Sequence, residues 1–363
     1  MRPEVIGRAS LLLVDCIQNT MVEQPSSLST LHRLSYTVEP MCYSSVMQST
    51  GSAGASSEQD WRRPHFRLAG EADLQDTYKV YLNANEDLNR RLGRESDLEK
   101  HTLPARALAV RRNALRYDPE RFWVADFGGR IGGFGLATRR RTLWYLAALH
   151  VLPEFQGHGI GRKLVQFCLG NDPADGSPVL LTTSDSANPV STGMYFRFGL
   201  VPQASIIQFQ GKPRPLGQKS VRLSRAGQAA AKDCFDRLDQ FVLGEARPED
   251  HECWATVPSM APYLAFENDR AVGYIYIDRD GALGPAAVER PDLLPPIISA
   301  ALEIYAAEQS APVQIRIPAE ARESLSALIS QGINCVTEVR LLLTSRKFGR
   351  FDQYLFSGAD ALI

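Results

Sequence analysis

The amino-acid sequence predicts a mixed α/β (α+β) protein made of two similar halves behind a segment without regular pattern. Three observations predict this. From Phe66 onward, period-2 and period-3.6 apolar patterns alternate in the order β-α-β-β-β-α-β-α-β. Between two of these elements stands "QGHGIGRKL", with glycines at 157, 159 and 161 directly ahead of an amphipathic run. Finally, "ADFGGRIGGF" from Ala125 reappears as "AFENDRAVGY" from Ala265, without gaps.

Residues 1–61 are Ser-rich and hold neither period over any length, so a disordered leader is expected there. "HFRLA" then reads as a short strand, and "EADLQDTYKVYLNANEDLNRRLG" carries apolar residues at helical spacing. "RFWVADFGGRIGGFGLATRRRTLWYLAALHVLP" reads as an antiparallel meander. It turns first at Gly128 and Gly129, then at Arg139, Arg140 and Arg141, which are expected to form a solvated turn. After the glycine stretch come a helix to about Leu169, the strand "PVLLTTS", a helix from about Asn188 to Phe198, and "GLVPQASIIQFQ" as a closing strand.

Inside a helix, three glycines would cost roughly 3 kcal/mol relative to alanine. At a strand-to-helix junction they instead allow a tight turn. They bring main-chain N–H groups close to a ligand and set an anion at the positive end of the helix dipole. Counting excludes two other phosphate loops: GxGxxG fails because Arg162 follows Gly161, and GxxxxGK[ST] fails because no glycine stands five residues after Gly157. The spacing present is Q-G-x-G-x-G from Gln156.

"VLPEFQGHGIGRKL" resembles the coenzyme-A pyrophosphate loop of the GNAT superfamily of acyl-CoA N-acyltransferases. The element order from Phe66 to about Phe209 resembles that fold, a central mixed, mostly antiparallel sheet flanked by helices. A second family signature, Asn followed by Tyr seven residues on and Gly four later, is met by Asn188, Tyr195 and Gly199 in "NPVSTGMYFRFGL".

The resemblance implies acetyl-CoA as co-substrate, with no metal, and a primary amine as acceptor. The residues implied for the cofactor are Leu149, Val151, Gln156, Gly157, His158, Gly159, Ile160, Gly161, Arg162, Lys163 and Asn188. The loop N–H groups suit a pyrophosphate, and Arg162 or Lys163 can add charge. The strand edge at Leu149 and Val151 suits the pantetheine amides, and an N–H near Val151 is the implied oxyanion donor. Tyr195 is the implied general acid for the departing thiolate; its plain alternative is a packed residue at a helix end.

The base is open. Strict alternation puts 145, 147, 149 and 151 on one face, which assigns Tyr145 and Ala147 to the family's base positions and turns His150 to the other side as a packed strand residue. A water chain, Tyr145, or Glu86 and Asp87 of the first helix are the candidates. His158 is read as a loop residue near phosphate.

In the second half, Arg130/Arg270, Gly133/Gly273 and Gly199/Gly332 continue the correspondence, as do "SPVLLT" and "APVQIR". The chain therefore resembles two GNAT-like domains in tandem, expected at 62–213 and 214–363. The second copy replaces the glycine loop with "VERPDLLPPIISAALE", whose prolines remove donors, and carries Ala321 and Leu328 where the first has Asn188 and Tyr195. It is expected to be degenerate and to bind no coenzyme A.

The remaining bounds concern partners. Net charge is −1, with basic and acidic residues interspersed, which leaves out the footprint of a nucleic-acid or anionic-membrane binder. The run "LLLV" is too short for a membrane span. Six scattered cysteines show no metal or disulfide spacing, so reduced thiols and a cytoplasmic location are expected. Two function classes follow: an acetyltransferase acting on a small-molecule amine, and a non-catalytic acyl-CoA-binding module. Composition does not reveal the oligomeric state or the acceptor.

Overall fold

A computed structural model describes residues 63–94, 103–170, 178–214 and 221–357. The expected leader, 1–61, lies outside the described residues. The first half runs β1 (His65–Leu68), α1 (Leu74–Arg91), α2 (Ala105–Tyr117), β2 (Phe122–Asp126), β3 (Ile131–Arg140), β4 (Leu143–Val151), α3 (Ile160–Leu169), β5 (Val179–Asp185), α4 (Pro189–Phe196) and β6 (Val201–Gly211). The second half repeats this order: β7 (Arg222–Arg225), α5 (Gln228–Leu243), α6 (Pro248–Ala255), β8 (Met260–Glu267), β9 (Arg270–Asp278), β10 (Ala282–Val288), α7 (Leu294–Glu308), β11 (Val313–Pro318), α8 (Arg322–Ser330) and β12 (Asn334–Thr344). A short β13 (Tyr354–Leu355) follows.

The sequence reading lacks α2. Its pattern is interrupted by arginines, one of which, Arg111, is buried: Nε donates to Thr77 Oγ1 at 3.2 Å and the guanidinium lies 5.6 Å from the rings of Tyr78 and Phe134. Burial pushes its pKa down to about 10. The expected solvated arginine turn also needs correction. Arg141 is exposed, but Arg140 is buried and donates to Asp118 at 2.9 Å and to Asp250 of α6 at 2.6 Å. A charge read as solvent-facing is in fact a clasp between the halves.

The repeat is exact enough to show in register. Ala125 faces Gly133 across β2–β3 with an irregularity directly after Ala125, and Ala265 faces Gly273 across β8–β9 with one directly after Ala265. Ala321 caps α8 where Asn188 caps α4, and Gly199 and Gly332 both have φ near +80° (75° and 82°).

All strands join one 13-stranded sheet in the order β1-β2-β3-β4-β5-β12-β6-β11-β10-β9-β8-β7, with β13 on β10. Pairing is antiparallel except for β4–β5 and β10–β11. The halves exchange their closing strands: β12 of the second half pairs with β5 of the first, and β6 of the first pairs with β11 of the second. β12 therefore lies between β5 and β6 of the first half. One apolar core, on the α1, α2, α5 and α6 face, runs through both halves from Leu74 and Phe134 to Phe235 and Tyr354. Helices α7 and α8 cover the opposite face of the second half, and α3 and α4 that of the first. Among the described residues no helix is long and apolar enough to cross a membrane.

Candidate active site

The site begins where β4 and β5 part. Their parallel pairing ends at Leu146 and Thr182, beyond which the two strands diverge. On its other edge β4 carries a bulge: Leu136 faces Ala148 but Ala137 faces Leu146, leaving Ala147 as the extra residue. Leu152 N–H donates to Gly132 O on β3, so by alternation the main-chain groups of Leu149 and Val151 face the gap. A strand edge at Leu149 and Val151 thus lines one wall of the opening.

The bulge overturns the alternation used above. Trp144, Leu146, Leu149 and Val151 pack together on the α3 and α4 side, whereas Tyr145, Ala147, Ala148 and His150 face α1. His150 therefore shares a face with Tyr145 and Ala147 and lines the cleft, its ring edge-on to Tyr81 at 5.0 Å. Tyr145 is buried, does not line the cleft, and its hydroxyl lies 3.5 Å from Thr183 Oγ1. Glu86 and Asp87 do not line it either, and Asp87 is paired with Arg90 and Arg91.

After β4, Gln156 Nε2 donates to Val151 O at 2.9 Å and folds the loop back on the strand end. Gly159 is the N-cap of α3 with φ 76°, in the left-handed region that an L-residue enters only with strain. The first intrahelical bond is Lys163 N–H to Gly159 O. The N–H groups of Ile160, Gly161 and Arg162 thus precede it and point out of the helix end, the arrangement that binds a phosphate. Gly157, Gly159, Gly161 and Arg162 line the cleft, whereas His158 and Lys163 do not. Lys163 turns away, its ammonium 5.7 Å from the Phe66 ring centroid, so of the two side chains expected to add charge only Arg162 lines the cleft.

Tyr195 lies in the last turn of α4 against Trp144, Leu146, Leu200 and Leu343. Its side chain is almost wholly buried yet borders the cleft where β4 and β5 separate. The hydroxyl is hydrogen-bonded with Thr182, whose Oγ1 also donates to Leu146 O at 3.0 Å. Burial raises the phenol to about 12, partly offset by that bond. Asn188 borders the cleft as well, with its Oδ1 accepting from Ser191 N at 3.3 Å, which makes it the cap of α4.

The cleft, about 920 Å³, extends to residues the sequence reading missed: Arg94, Asp185, and from the second half Arg316, Glu338 and Arg340. Arg94 forms a bidentate pair with Asp185, and Arg340 Nε donates to Glu338 at 2.7 Å. Burial opposes ionisation of Asp185, but Arg94 and the Ala187 N–H outweigh it and hold the carboxyl below its usual range. Only the strand exchange brings Glu338 and Arg340 here, and no sequence signal announces it.

The matching place in the second half is filled. β10 and β11 pair only at Ala282 and Leu283, and a bulge follows at Gly284 and Pro285, as one does at Ala147 of β4. β13 then enters the gap, Leu355 facing Ala286 and Tyr354 facing Ala287, while Phe356 bridges to Arg316 of β11. A Cβ on Gly284 would stand 2.3 Å from Phe356 O, so the chain's own strand lies tightly along the slot. Pro295 and Pro296 occupy the first turn of α7 and remove N–H donors there.

A sequence model of the acetyltransferase (GNAT) family matches residues 82–200. Residues 82–200 are a GNAT domain. The tandem two-domain GNAT fold extends over the whole described chain. A chain from Pyrococcus horikoshii described as an acetyltransferase superposes with TM-score 0.63 at 16% identity, covering 86% of this chain and 99% of that one. A tandem GNAT protein from the clavulanic acid biosynthesis pathway gives TM-score 0.52 at 14% identity, covering 77% and 97%. These likenesses are of fold. In sequence, 114 residues of the chain are 29% identical to a mycothiol acetyltransferase of Streptomyces bingchenggensis, a match spanning 31% of this chain and 37% of that relative. The chain thus matches about a third of the length of the curated relatives it resembles.

Proposed function

We propose that the chain is an N-acetyltransferase that moves the acetyl group of acetyl-CoA to a primary amine by direct attack within a ternary complex. The observation that carries this reading is the junction of three features in one cleft: a glycine loop at a helix N-terminus, an unpaired strand edge, and Tyr195 at the point where the strands part.

Acetyl-CoA supplies an activated thioester. The N–H groups of Ile160, Gly161 and Arg162 suit its pyrophosphate, and the edge of β4 at Leu149 and Val151 suits its pantetheine amides. Main-chain donors on this edge would steady the developing oxyanion. Tyr195, protonated at neutral pH as any phenol is and kept so to higher pH by burial, would give its proton to the departing thiolate. His150, rather than Tyr145, is the side chain on the α1 face that the cleft exposes to an incoming amine. Coenzyme-A binding belongs to the first domain, 62–213. The second, 214–363, holds β13 in the equivalent slot. The similarity to mycothiol acetyltransferases supports a small-molecule acceptor.

The test is release of free thiol from acetyl-CoA in the presence of a panel of primary amines, read beside calorimetric binding of acetyl-CoA to the full chain. Binding with amine-dependent thiol release is expected. Binding without release from any amine would favour the acyl-CoA-binding module, and absence of binding would end both readings.

A further inference from the structure

The fork at which the cleft opens is closed by a hydroxyl. Leu146 and Thr182 are the last registered pair of the parallel β4–β5 ladder. Thr182 is buried, and its side chain reaches across from β5 to β4: Oγ1 donates to Leu146 O at 3.0 Å, with Thr183 O farther off at 3.5 Å. A hydroxyl has one proton to give and two lone pairs with which to accept. With the proton turned to Leu146 O, the lone pairs are what Oγ1 offers to the phenol of Tyr195, with which it is hydrogen-bonded. The β-branch of threonine restricts χ1, so the oxygen is held in place while its proton is free to turn about the Cβ–Oγ1 bond. Leu146, Thr182 and Tyr195 all border the cleft.

The second half shows the same fork without this pair. Aligning "SPVLLT" with "APVQIR" puts Arg316 at the place of Thr182, and Leu328 stands at the place of Tyr195. The β10–β11 ladder ends at Leu283 and Ile315, one pair short of the end of β4–β5. At the next position, the counterpart of Leu146 and Thr182, Gly284 and Arg316 are separated by the chain itself: Phe356 bridges to Arg316, and its carbonyl oxygen lies against Gly284. The hydroxyl and the phenol are lost together, and a strand closes the fork in their stead. Packing at this point therefore requires neither, and what the first half has kept is a hydroxyl bonded to a phenol at the edge of the cleft.

We propose that Thr182 is a positioning residue for acetyl transfer, holding the Tyr195 phenol at the parting of β4 and β5 and receiving the phenolate as its proton leaves. This rests on the acetyltransferase reading and deepens it. As the thiolate departs, the O–H bond of Tyr195 breaks and an S–H bond forms. Thr182 turns its proton from Leu146 O to the phenolate oxygen. The proton lost by the amine nitrogen restores the phenol by way of solvent, and Thr182 returns to Leu146 O. Burial raises the phenol and the bond with Thr182 lowers it, the sign expected of a donor to the phenolate.

The experiment follows amine-dependent thiol release, acetyl-CoA affinity by calorimetry and melting curves on the full chain as parent, Thr182→Val, Tyr195→Phe and the double variant, with Thr182→Ser as the conservative control. Valine keeps the shape and branching of threonine without the hydroxyl. Thr182→Val should lower kcat by roughly tenfold to a hundredfold, the size of a lost hydrogen bond to a charged group. Acetyl-CoA affinity should hold, and Thr182→Ser should retain most of the parent rate. In the Tyr195→Phe background the same valine change should alter kcat by less than about threefold, because no phenol is left to hold.

A structural role predicts instead an equal loss in both backgrounds. That result, a full rate in Thr182→Val, or a full rate in Tyr195→Phe would each overturn the inference while leaving the acetyltransferase reading intact. If the valine variant does not fold, Thr182→Ala takes its place in the same comparison; failure of both to fold would assign the hydroxyl to the fold alone and end the inference. Absence of thiol release from the parent with every amine would end the acetyltransferase reading and the inference with it.

Discussion

Replacing Tyr195 by phenylalanine separates chemistry from packing. The ring is 5% exposed and held by Trp144, Leu146, Leu200 and Leu343, contacts that phenylalanine keeps. What it loses is the hydroxyl and its bond with Thr182, which retains its own bond to Leu146 O. One such bond contributes about 1 kcal/mol to stability. Loss of a general acid, by contrast, lowers turnover by roughly 10²–10⁴, about 2.7–5.4 kcal/mol of barrier at about 1.36 kcal/mol per decade. A stability loss of about 1 kcal/mol leaves a domain of ordinary stability folded, so unfolding does not account for a hundredfold drop in rate. Tyr195→Ala is the packing control and should cost ~3–5 kcal/mol of stability.

Thiol release and melting curves on both variants, with acetyl-CoA affinity by calorimetry, give the reading. Tyr195→Phe should be nearly as stable as the parent, bind acetyl-CoA alike and be at least a hundredfold slower. The pH dependence carries the same sign. With the phenol raised to about 12, Tyr195 remains a proton donor up to pH 10 and contributes no alkaline fall in rate below that. A Phe variant with full activity would remove Tyr195 from the mechanism and leave positioning of amine and thioester as the source of rate enhancement.

Three further outcomes are expected. Gly159→Val should abolish acetyl-CoA binding: a Cβ there meets open space, but φ 76° strains a β-branched residue by more than the roughly 1–2 kcal/mol of an ordinary L-residue, and the loop relaxes out of its cradle. Unchanged calorimetric affinity would contradict this. Binding stoichiometry should be one coenzyme A per chain, since β13 and the prolines of α7 occupy the second slot; a value of two would show that the strand is displaced. Acid stability should depend on Asp239. Burial opposes its charge, but Arg247 and His251 outweigh this and lower it from 3.8 to about 2. A depressed carboxyl contributes stability that is present above pH 3.8 and lost as pH falls toward 2, on the order of 2 kcal/mol. Asp239→Asn should unfold more easily at pH 7 and show a flatter loss between pH 4 and 2; an unaltered acid profile would assign the loss to other groups.

The loop, the Asn188-to-Tyr195 spacing and the repeat were legible because each depends on residue types at fixed local intervals. Glycine is needed at φ 76°, and the caps of α4 and α8 fall at matching positions whatever the surroundings. The reading failed where geometry came from elsewhere in the chain. The bulge at Ala147 leaves no mark in "LWYLAALHV", yet it turns His150 to the α1 face. Arg111 and Arg140 resemble solvent-facing arginines, and only the packing of Tyr78, Phe134, Asp118 and Asp250 around them makes them interior. The far wall of the cleft was beyond reach for the same reason, since Arg316, Glu338 and Arg340 arrive on strands numbered more than a hundred residues after the loop.

The exchange of closing strands also sets the order in which the molecule can become whole. Leu181 of β5 waits for Thr344, and Ile207 of β6 waits for Ile317 and Val339. Until the last of these has left the ribosome, β5 presents a bare edge along one side of the nascent active site, the kind of surface that templates aggregation. Pairings of such sequence separation are slow to form and are reached only after most of the loop entropy has been spent. Neither half can therefore finish folding as a private event. A second half that carries β13 in place of an open slot still sets when, and whether, the cleft of the first is completed.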